Sequence, residues 1–316
     1  MAKVRILGAV DVTRLLQPGP LRVRLEGAMD VLSTGGASVP PRVAAVAPRG
    51  WLGAMPGYLE GTGLAAKLVS IFPDNVDAPS HQGLIALFDT DTGSPLAIMD
   101  AEVITEARTA MTAAIAADLL ARADAEVLTI VGGGAQARAH VAAFAPLRAW
   151  REVRIVNRSP ANAEVVASAA RAEGLDPVVV FDDSRRALIG ADVVALCTHA
   201  QQAVIDPTAI APGTHVSSVG SGAELPPELA MADLVVVEWR DAVVEPPPAG
   251  AAEIQSLAPG DVVELGDLIA GRAAGRGGAD QVTVYKSTGH AVQDVAAARL
   301  VHDEAVAAGI GTFIEL

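Results

Sequence analysis

The spacing with the plainest chemical meaning lies in Leu128-Thr-Ile-Val-Gly-Gly-Gly-Ala-Gln-Ala137, where three glycines interrupt an apolar run and open an alanine-rich stretch. Gly132-x-Gly134-x-x-Ala137 has the form of a dinucleotide-binding turn between a strand and a helix. Gly132 permits the turn, Gly134 lets a pyrophosphate approach the backbone, and Ala137 allows close packing of helix on strand. The N–H groups of Ala135 and Gln136 then begin a helix whose dipole favours an anion. Downstream, Val153-Arg-Ile-Val reads as the next strand, with Asn157, Arg158 and Ser159 at its tip. An acidic residue there would suit the free ribose hydroxyl of NAD. A guanidinium flanked by two small hydrogen-bonding side chains suits the 2′-phosphate of NADP. The expectation is therefore NADP(H), with NAD(H) as the alternative.

Charge usage narrows the search for further site residues. Of the 23 basic residues only Lys3, Lys67 and Lys286 are lysines, so arginine serves nearly every ordinary surface charge. Lys67 and Lys286 fall in apolar or small-residue stretches, which suits a compact ammonium kept for a site. The formal charge of −14 argues against nucleic acid and anionic membrane surfaces, since both need a net basic footprint. The single Cys197 cannot form an internal disulfide. With no signal-like start and no long apolar run, the expectation is a cytoplasmic protein. The six histidines are scattered, without metal-ligand spacing.

A chain of 316 residues can bury a large core and form two domains, and its core must be Ala, Val, Leu and Ile because only 3% of it is aromatic. Residues 10–32 pattern as two amphipathic helices broken near Pro18 and Pro20. Residues 42–47, 51–55, 63–70, 83–89 and 95–99 read as strands of an antiparallel sheet, with turns at Pro56-Gly57, Pro73-Asp74-Asn75 and Asp91-Thr92-Gly93. A helix over residues 102–123 leads onward. Residues 127–131, 153–157, 178–181, 192–197, 215–219 and 234–238 are short β-branched runs with helical segments between the earlier ones, the pattern of a doubly wound parallel sheet. Ligands bind beyond the carboxyl ends of such strands, which places Thr198, Val219, Gly220 and Ser221 at a cleft. Residues 281–289 form a last strand and turn carrying Lys286. A helix over residues 291–308 then has Asp294 in its first turn.

Lys286-Ser-Thr-Gly-His-Ala-Val-Gln-Asp-Val-Ala-Ala-Ala, Arg108-Thr-Ala-Met-Thr-Ala-Ala and Gly132-Gly-Gly-Ala-Gln-Ala together resemble the ornithine cyclodeaminase/mu-crystallin family. Pro41-Arg42, Met55-Pro56, Lys67, Pro73-x-Asn75 and Thr92-Gly93-x-Pro95 fall in the expected order, so the resemblance covers essentially the whole chain. Asn157-Arg158-Ser159 is similar to the NADPH-using branch. The resemblance implies an α/β chain with a Rossmann domain over residues 113–289. An N-terminal α+β substrate and dimerisation domain over residues 1–112 would be completed by residues 290–316. It implies a homodimer. It also implies that Arg42, Lys67 and Arg108 hold a substrate carboxylate, and by spacing Gln82 falls near a substrate-facing position.

Two departures bear on the reaction. Cyclodeaminases of the family place an Asp shortly after the Val-Gly that here is Val219-Gly220, and Gly222 stands in that place. A family Glu before the Met-Pro pair, which holds the distal amine of ornithine, is here Gly53. Without these anions a diamino acid would bury an unpaired ammonium, unless Glu224 substitutes. A cyclic imine such as pyrroline-2-carboxylate can arrive already protonated and needs no proton from the protein. The expectation is an NAD(P)H-dependent reductase of a small imino or keto acid, or an amino-acid dehydrogenase in reverse. Thr109, Ala135, Gln136 and Arg158 would hold the cofactor phosphates, with Lys286 near the nicotinamide side. Ornithine cyclodeamination and a non-catalytic NADPH-binding, crystallin-like role are the alternatives.

Overall fold

A computed structural model of the chain describes residues 3–220 and 222–316. Its first elements are β1 (Lys3–Leu7), α1 (Ala9–Leu15), α2 (Pro18–Ser33), β2 (Ala37–Ser38), β3 (Val43–Ala47), β4 (Gly50–Leu59), β5 (Gly63–Ile71), β6 (His81–Phe88), β7 (Pro95–Asp100) and α3 (Glu102–Leu120). Then come β8 (Val127–Val131), α4 (Ala135–Phe144), β9 (Glu152–Val156), α5 (Pro160–Ala172), β10 (Val178–Phe181), α6 (Ser184–Leu188), β11 (Val193–Leu196) and β12 (His215–Ser218). They are followed by β13 (Leu234–Val237), β14 (Val263–Glu264), α7 (Leu265–Ile269), β15 (Thr283–Lys286), α8 (Ala291–Ala308) and β16 (Thr312–Glu315). The chain divides into two compact units, Met1–Arg108 with His290–Leu316, and Thr109–Gly289.

In the first unit the strand order is β16-β1-β7-β6-β5-β4-β2, with β3 also paired to β4. The sheet is antiparallel except where β1 runs parallel to β7. Because side chains alternate across a sheet, register assigns each residue a face. One face carries the rows Met55, Lys67, Ile85, Met99, then Ala44, Gly53, Val69, Gly83, then Val46, Trp51, Ile71, His81. Helix α8 packs on β4, β5 and β6. A Cβ at Gly57 would stand 3.0 Å from the Ala291 Cβ, so a bare backbone at Gly57 is what lets the helix lie this close.

One local expectation needs correction. Pro56-Gly57 is not a turn: β4 runs through it, and the chain reverses at Glu60–Thr62 instead. Proline is tolerated there because β2 pairs with Tyr58 and Leu59 and β3 with residues 50–54. The edge opposite Pro56 therefore asks for no N–H donor. Strands β1 and β16 complete the sheet from segments too short to show a clear alternation. The two helices expected over residues 10–32 are α1 and α2, and Pro18 and Pro20 begin the second, since proline fits the first turn, where N–H groups have no intrahelical partner.

The second unit has the strand order β10-β9-β8-β11-β12-β15-β13-β14, parallel in every pair. The order reverses between β8 and β11, which is where a doubly wound sheet opens a crevice at its carboxyl edge. Strands β8 and β11 are buried along their whole length. The core around them is Val, Leu, Ile and Ala, including Val131, Val194, Leu196, Val216 and Val284. No helix among the described residues is long and apolar enough to cross a membrane.

Candidate functional site

Lys67 projects from the middle of β5 onto the face covered by α8. Its Nζ lies 2.8 Å from Asp294 Oδ2, with the two side chains only 5% and 2% exposed. Arg108, buried in α3, donates from Nε to Asp294 Oδ1 at 3.2 Å and from Nη1 to Gln293 Oε1 at 2.6 Å. Arg42 precedes β3, where the register continues the row of Met55 and Lys67, and its charge acts on both Lys67 and Asp294. Three cations thus surround one carboxylate. Burial pulls the Lys67 pKa down to about 8 against the pull of Asp294, and Arg108 and Arg42 push it the same way as burial. Burial works to raise Asp294, but Lys67, Arg108 and Arg42 outweigh it and hold the carboxyl below the usual range.

The start of α8 explains how Asp294 comes to be there. His290 is the N-cap, and Gln293 closes a capping box by accepting the His290 N–H at 3.2 Å. Gln293 Oε1 therefore serves both the helix end and Arg108. Asp294 in the first turn is further favoured by the helix dipole.

The second unit holds the glycine turn. Gly132, at φ 151°, abuts the end of β11: a Cβ there would stand 2.6 Å from the Cys197 carbonyl oxygen. Gly134 is the N-cap of α4, with no capping side chain and no acidic residue in the first turn. A Cβ at Gly134 would meet no atom within 4 Å. An uncapped helix start beside open space at the β8/β11 reversal fits the pyrophosphate of a dinucleotide. Ala137 is fully buried beneath the turn. At the tip of β9, Asn157 Oδ1 accepts the Ser159 N–H at 2.8 Å, and the Asn157 amide lies over Gly133. Ser159 caps α5 while Arg158 is exposed.

A charged network runs beneath the carboxyl ends of β11, β12 and β15. Glu224, fully buried, accepts from the Thr198 N–H and hydroxyl at 2.7 Å each, from the Ser218 hydroxyl at 2.9 Å, and from the N–H groups of Val219 and Gly220 at 3.0 and 2.7 Å. Lys286 donates to Ser218 Oγ at 3.1 Å, to the Gly220 carbonyl at 2.8 Å and to Glu253 Oε1 at 2.8 Å. Residues 218–220 are thus gripped from both sides. The turn after Lys286 is held by Glu238, which accepts from Ser287 Oγ at 2.8 Å and from the Gly289 N–H at 2.9 Å.

These placements revise several expectations. Arg42, Lys67 and Arg108 come together in the first unit. Gln82 does not join them: it pairs with Ser70, so alternation turns it to the opposite face from Lys67, and its Nε2 donates to the Pro79 carbonyl. Glu224 is no substitute for the missing aspartate, because its two oxygens are committed to five donors of its own fold. Lys286 spends its ammonium on Glu253, Ser218 and Gly220. Thr109 is buried in α3. Ser221 lies outside the described residues. Sequence reasoning missed the roles of Asp294, Gln293 and Glu253. The one available signal was an acid and an amide in the first turn of a helix, which reads equally well as ordinary capping.

The chain is similar along its length to known proteins. The chain is 36% identical over 278 residues to the ketimine reductase mu-crystallin of Mus musculus, covering 85% of this chain and 86% of that protein. Among solved structures, Thermococcus litoralis Delta(1)-pyrroline-2-carboxylate reductase in complex with NADH and L-proline matches with a TM-score of 0.91 at 30% identity, covering 98% of this chain and 100% of that one. An archaeal alanine dehydrogenase dimer with bound NAD matches with a TM-score of 0.89 at 28% identity over 100% of both chains. Residues 3–309 also match the family model, and with the glycine turn and the buried cation cluster both in place, the chain belongs to the ornithine cyclodeaminase/mu-crystallin family.

Proposed function

We propose that this protein is an NAD(P)H-dependent reductase of a small imino or keto acid, working in the direction of an amino acid or in reverse as its dehydrogenase. The observation that carries this reading is the Asp294-centred cluster of Lys67, Arg108 and Arg42. With Lys67 protonated, three positive charges gather about Asp294, an arrangement that suits the carboxylate of an α-imino acid. Asp294 and Gln293 hold Lys67 and Arg108 in place before substrate arrives, so less ordering is left to do on binding. An iminium that enters already protonated asks the protein only to orient it.

The residues fit a nicotinamide dinucleotide, which supplies a hydride when bound. Gly132, Gly134, Ala135, Gln136 and Ala137 would cradle its pyrophosphate, and Thr109, Thr198 and Val219 would add contacts to the cofactor. The Glu224 and Lys286 network keeps Thr198 and residues 218–220 rigid for this purpose. Arg158, exposed between Asn157 and Ser159, would receive a 2′-phosphate, so NADP(H) is the favoured form and NAD(H) the second. The named relatives that bind NADH or NAD support the general cofactor class.

The outer sheet face carries Leu52, Tyr58, Leu64 and Leu84, exposed by 49%, 37%, 36% and 38%. Register puts all four on the side away from Lys67, and a second copy of the chain covering them would make a homodimer. One free, buried Cys197 suits a reducing, cytoplasmic setting. The test of the catalytic reading is NADPH and NADH consumption with pyrroline-2-carboxylate, set against ammonia release from ornithine. Consumption without ammonia release supports it. Ammonia release from ornithine with no net cofactor oxidation overturns it in favour of a cyclodeaminase.

A further inference from the structure

Gly53 sits one row from Lys67 on the same sheet face, beside Ala44, Val69 and Gly83. A Cβ at Gly53 would stand 2.7 Å from Trp51 Cζ3 and 3.6 Å from Val69 Cγ1. The indole of Trp51 therefore leans along β4 over the bare backbone of Gly53, toward the row that carries Lys67. Two residues along a strand span about 7 Å, so the ring edge stands about one small side chain away from the cation row. Neither of the two rows beyond Lys67 holds an Asp, Glu, Lys or Arg: they consist of Ala44, Gly53, Val69 and Gly83, and of Val46, Trp51, Ile71 and His81. This strip of sheet offers a flat aromatic surface and small apolar residues, with no counter-ion for a cationic substrate tail.

We infer that the Trp51 indole, seated over Gly53 beside the Lys67 row, is the wall that receives the substrate's side chain and selects imino acids whose side chain is compact, uncharged and apolar. The inference rests on the reading of Arg42, Lys67 and Arg108 as a carboxylate clamp. A small ring anchored there by its carboxylate would lay its far side against the indole, gaining apolar contact and excluding water. A cationic tail would lose hydration against the same surface and find no carboxylate in these rows, and an anionic tail would lose hydration likewise. Gly53 is part of the device, because any larger residue would push the ring away.

Equilibrium binding by the full-length protein tests this without turnover. The unreactive planar acid pyrrole-2-carboxylate is compared with acetate, measured by competition, and with 4-guanidinobutyrate as a cationic tail. The wild type should prefer pyrrole-2-carboxylate over both by about tenfold or more. Trp51→Ala should cut its preference over acetate by about tenfold. Trp51→Phe should keep most of the preference, and Gly53→Ala, which displaces the ring, should fall between. Thermal melting checks each variant, and Trp51→Phe with Gly53→Ala decides the matter should Trp51→Ala fail to fold. An unchanged preference in the variants, or equal binding of 4-guanidinobutyrate by the wild type, overturns the wall while leaving the clamp standing. Failure of the wild type to bind any of the three acids overturns the clamp, and the wall with it.

Discussion

Asp294 Oδ2 lies 2.8 Å from Lys67 Nζ, joining the first turn of the last helix to the centre of the N-terminal sheet in a pair almost wholly removed from water. A buried ion pair of this kind is a poor source of stability, since desolvation offsets most of the attraction. Its value lies in holding an ammonium where an incoming carboxylate can use it.

The pKa of Lys67, about 8, sets a pH limit. Above it the ammonium loses its proton and the cluster loses a positive charge. Affinity for an unreactive carboxylate should therefore be flat below about pH 7.5 and fall steadily above pH 8. Lys67→Arg should move that fall beyond the accessible range, because arginine does not titrate there. Calorimetric titrations from pH 6 to 10 measure this, and a flat wild-type profile would contradict it.

Asp294→Asn should cost about 3–5 kcal/mol of stability at pH 7, because it leaves Lys67 and Arg108 buried without their counter-ion. The loss should be smaller at pH 9. There the wild-type lysine has already shed much of its charge, so less of the ion pair remains to be lost, while Arg108 stays charged at both pH values. Urea denaturation at the two pH values checks both the size and the sign.

Arg108→Lys keeps the charge but not the planar fork that reaches Asp294 and Gln293 together. The expected result is a fall in kcat/KM of about tenfold to a hundredfold, carried mainly by KM if the side chain binds substrate and reacting state alike. Steady-state kinetics at saturating cofactor separate the two parameters.

Arg158→Asp should reverse cofactor choice, lowering NADPH affinity by at least about tenfold and sparing NADH, since a carboxylate repels a 2′-phosphate and accepts from a free ribose hydroxyl. The affinities of the wild type and the variant for both dinucleotides give the ratio directly.

Much of this was legible in the residues themselves. Gly132 declares the turn because its positive φ and the nearby Cys197 carbonyl exclude a side chain, buried Ala137 lets helix pack on strand, and Gly134 leaves the helix start bare for a phosphate. Lys67 was conspicuous in a chain that otherwise uses arginine. Asp294 was not, because an acid in a first helical turn has a sufficient local explanation, and only the packing of α8 on β5 reveals its second role. Gln82 illustrates a different limit. A shift of one residue along a strand changes its face, and spacing in sequence does not supply the register that decides it. Pro56 misled because the gap between β2 and β3 that accommodates it is a property of the sheet edge.

The most direct measurement is isotopic. The protein is incubated with pyrroline-2-carboxylate and reduced dinucleotide carrying deuterium at both C4 positions, and the proline formed is analysed by mass spectrometry and NMR. One deuterium at Cα for each cofactor oxidised is the predicted result. Proline that forms without the label, or the absence of the matching amino acid from this and every other small cyclic imino acid, would contradict it.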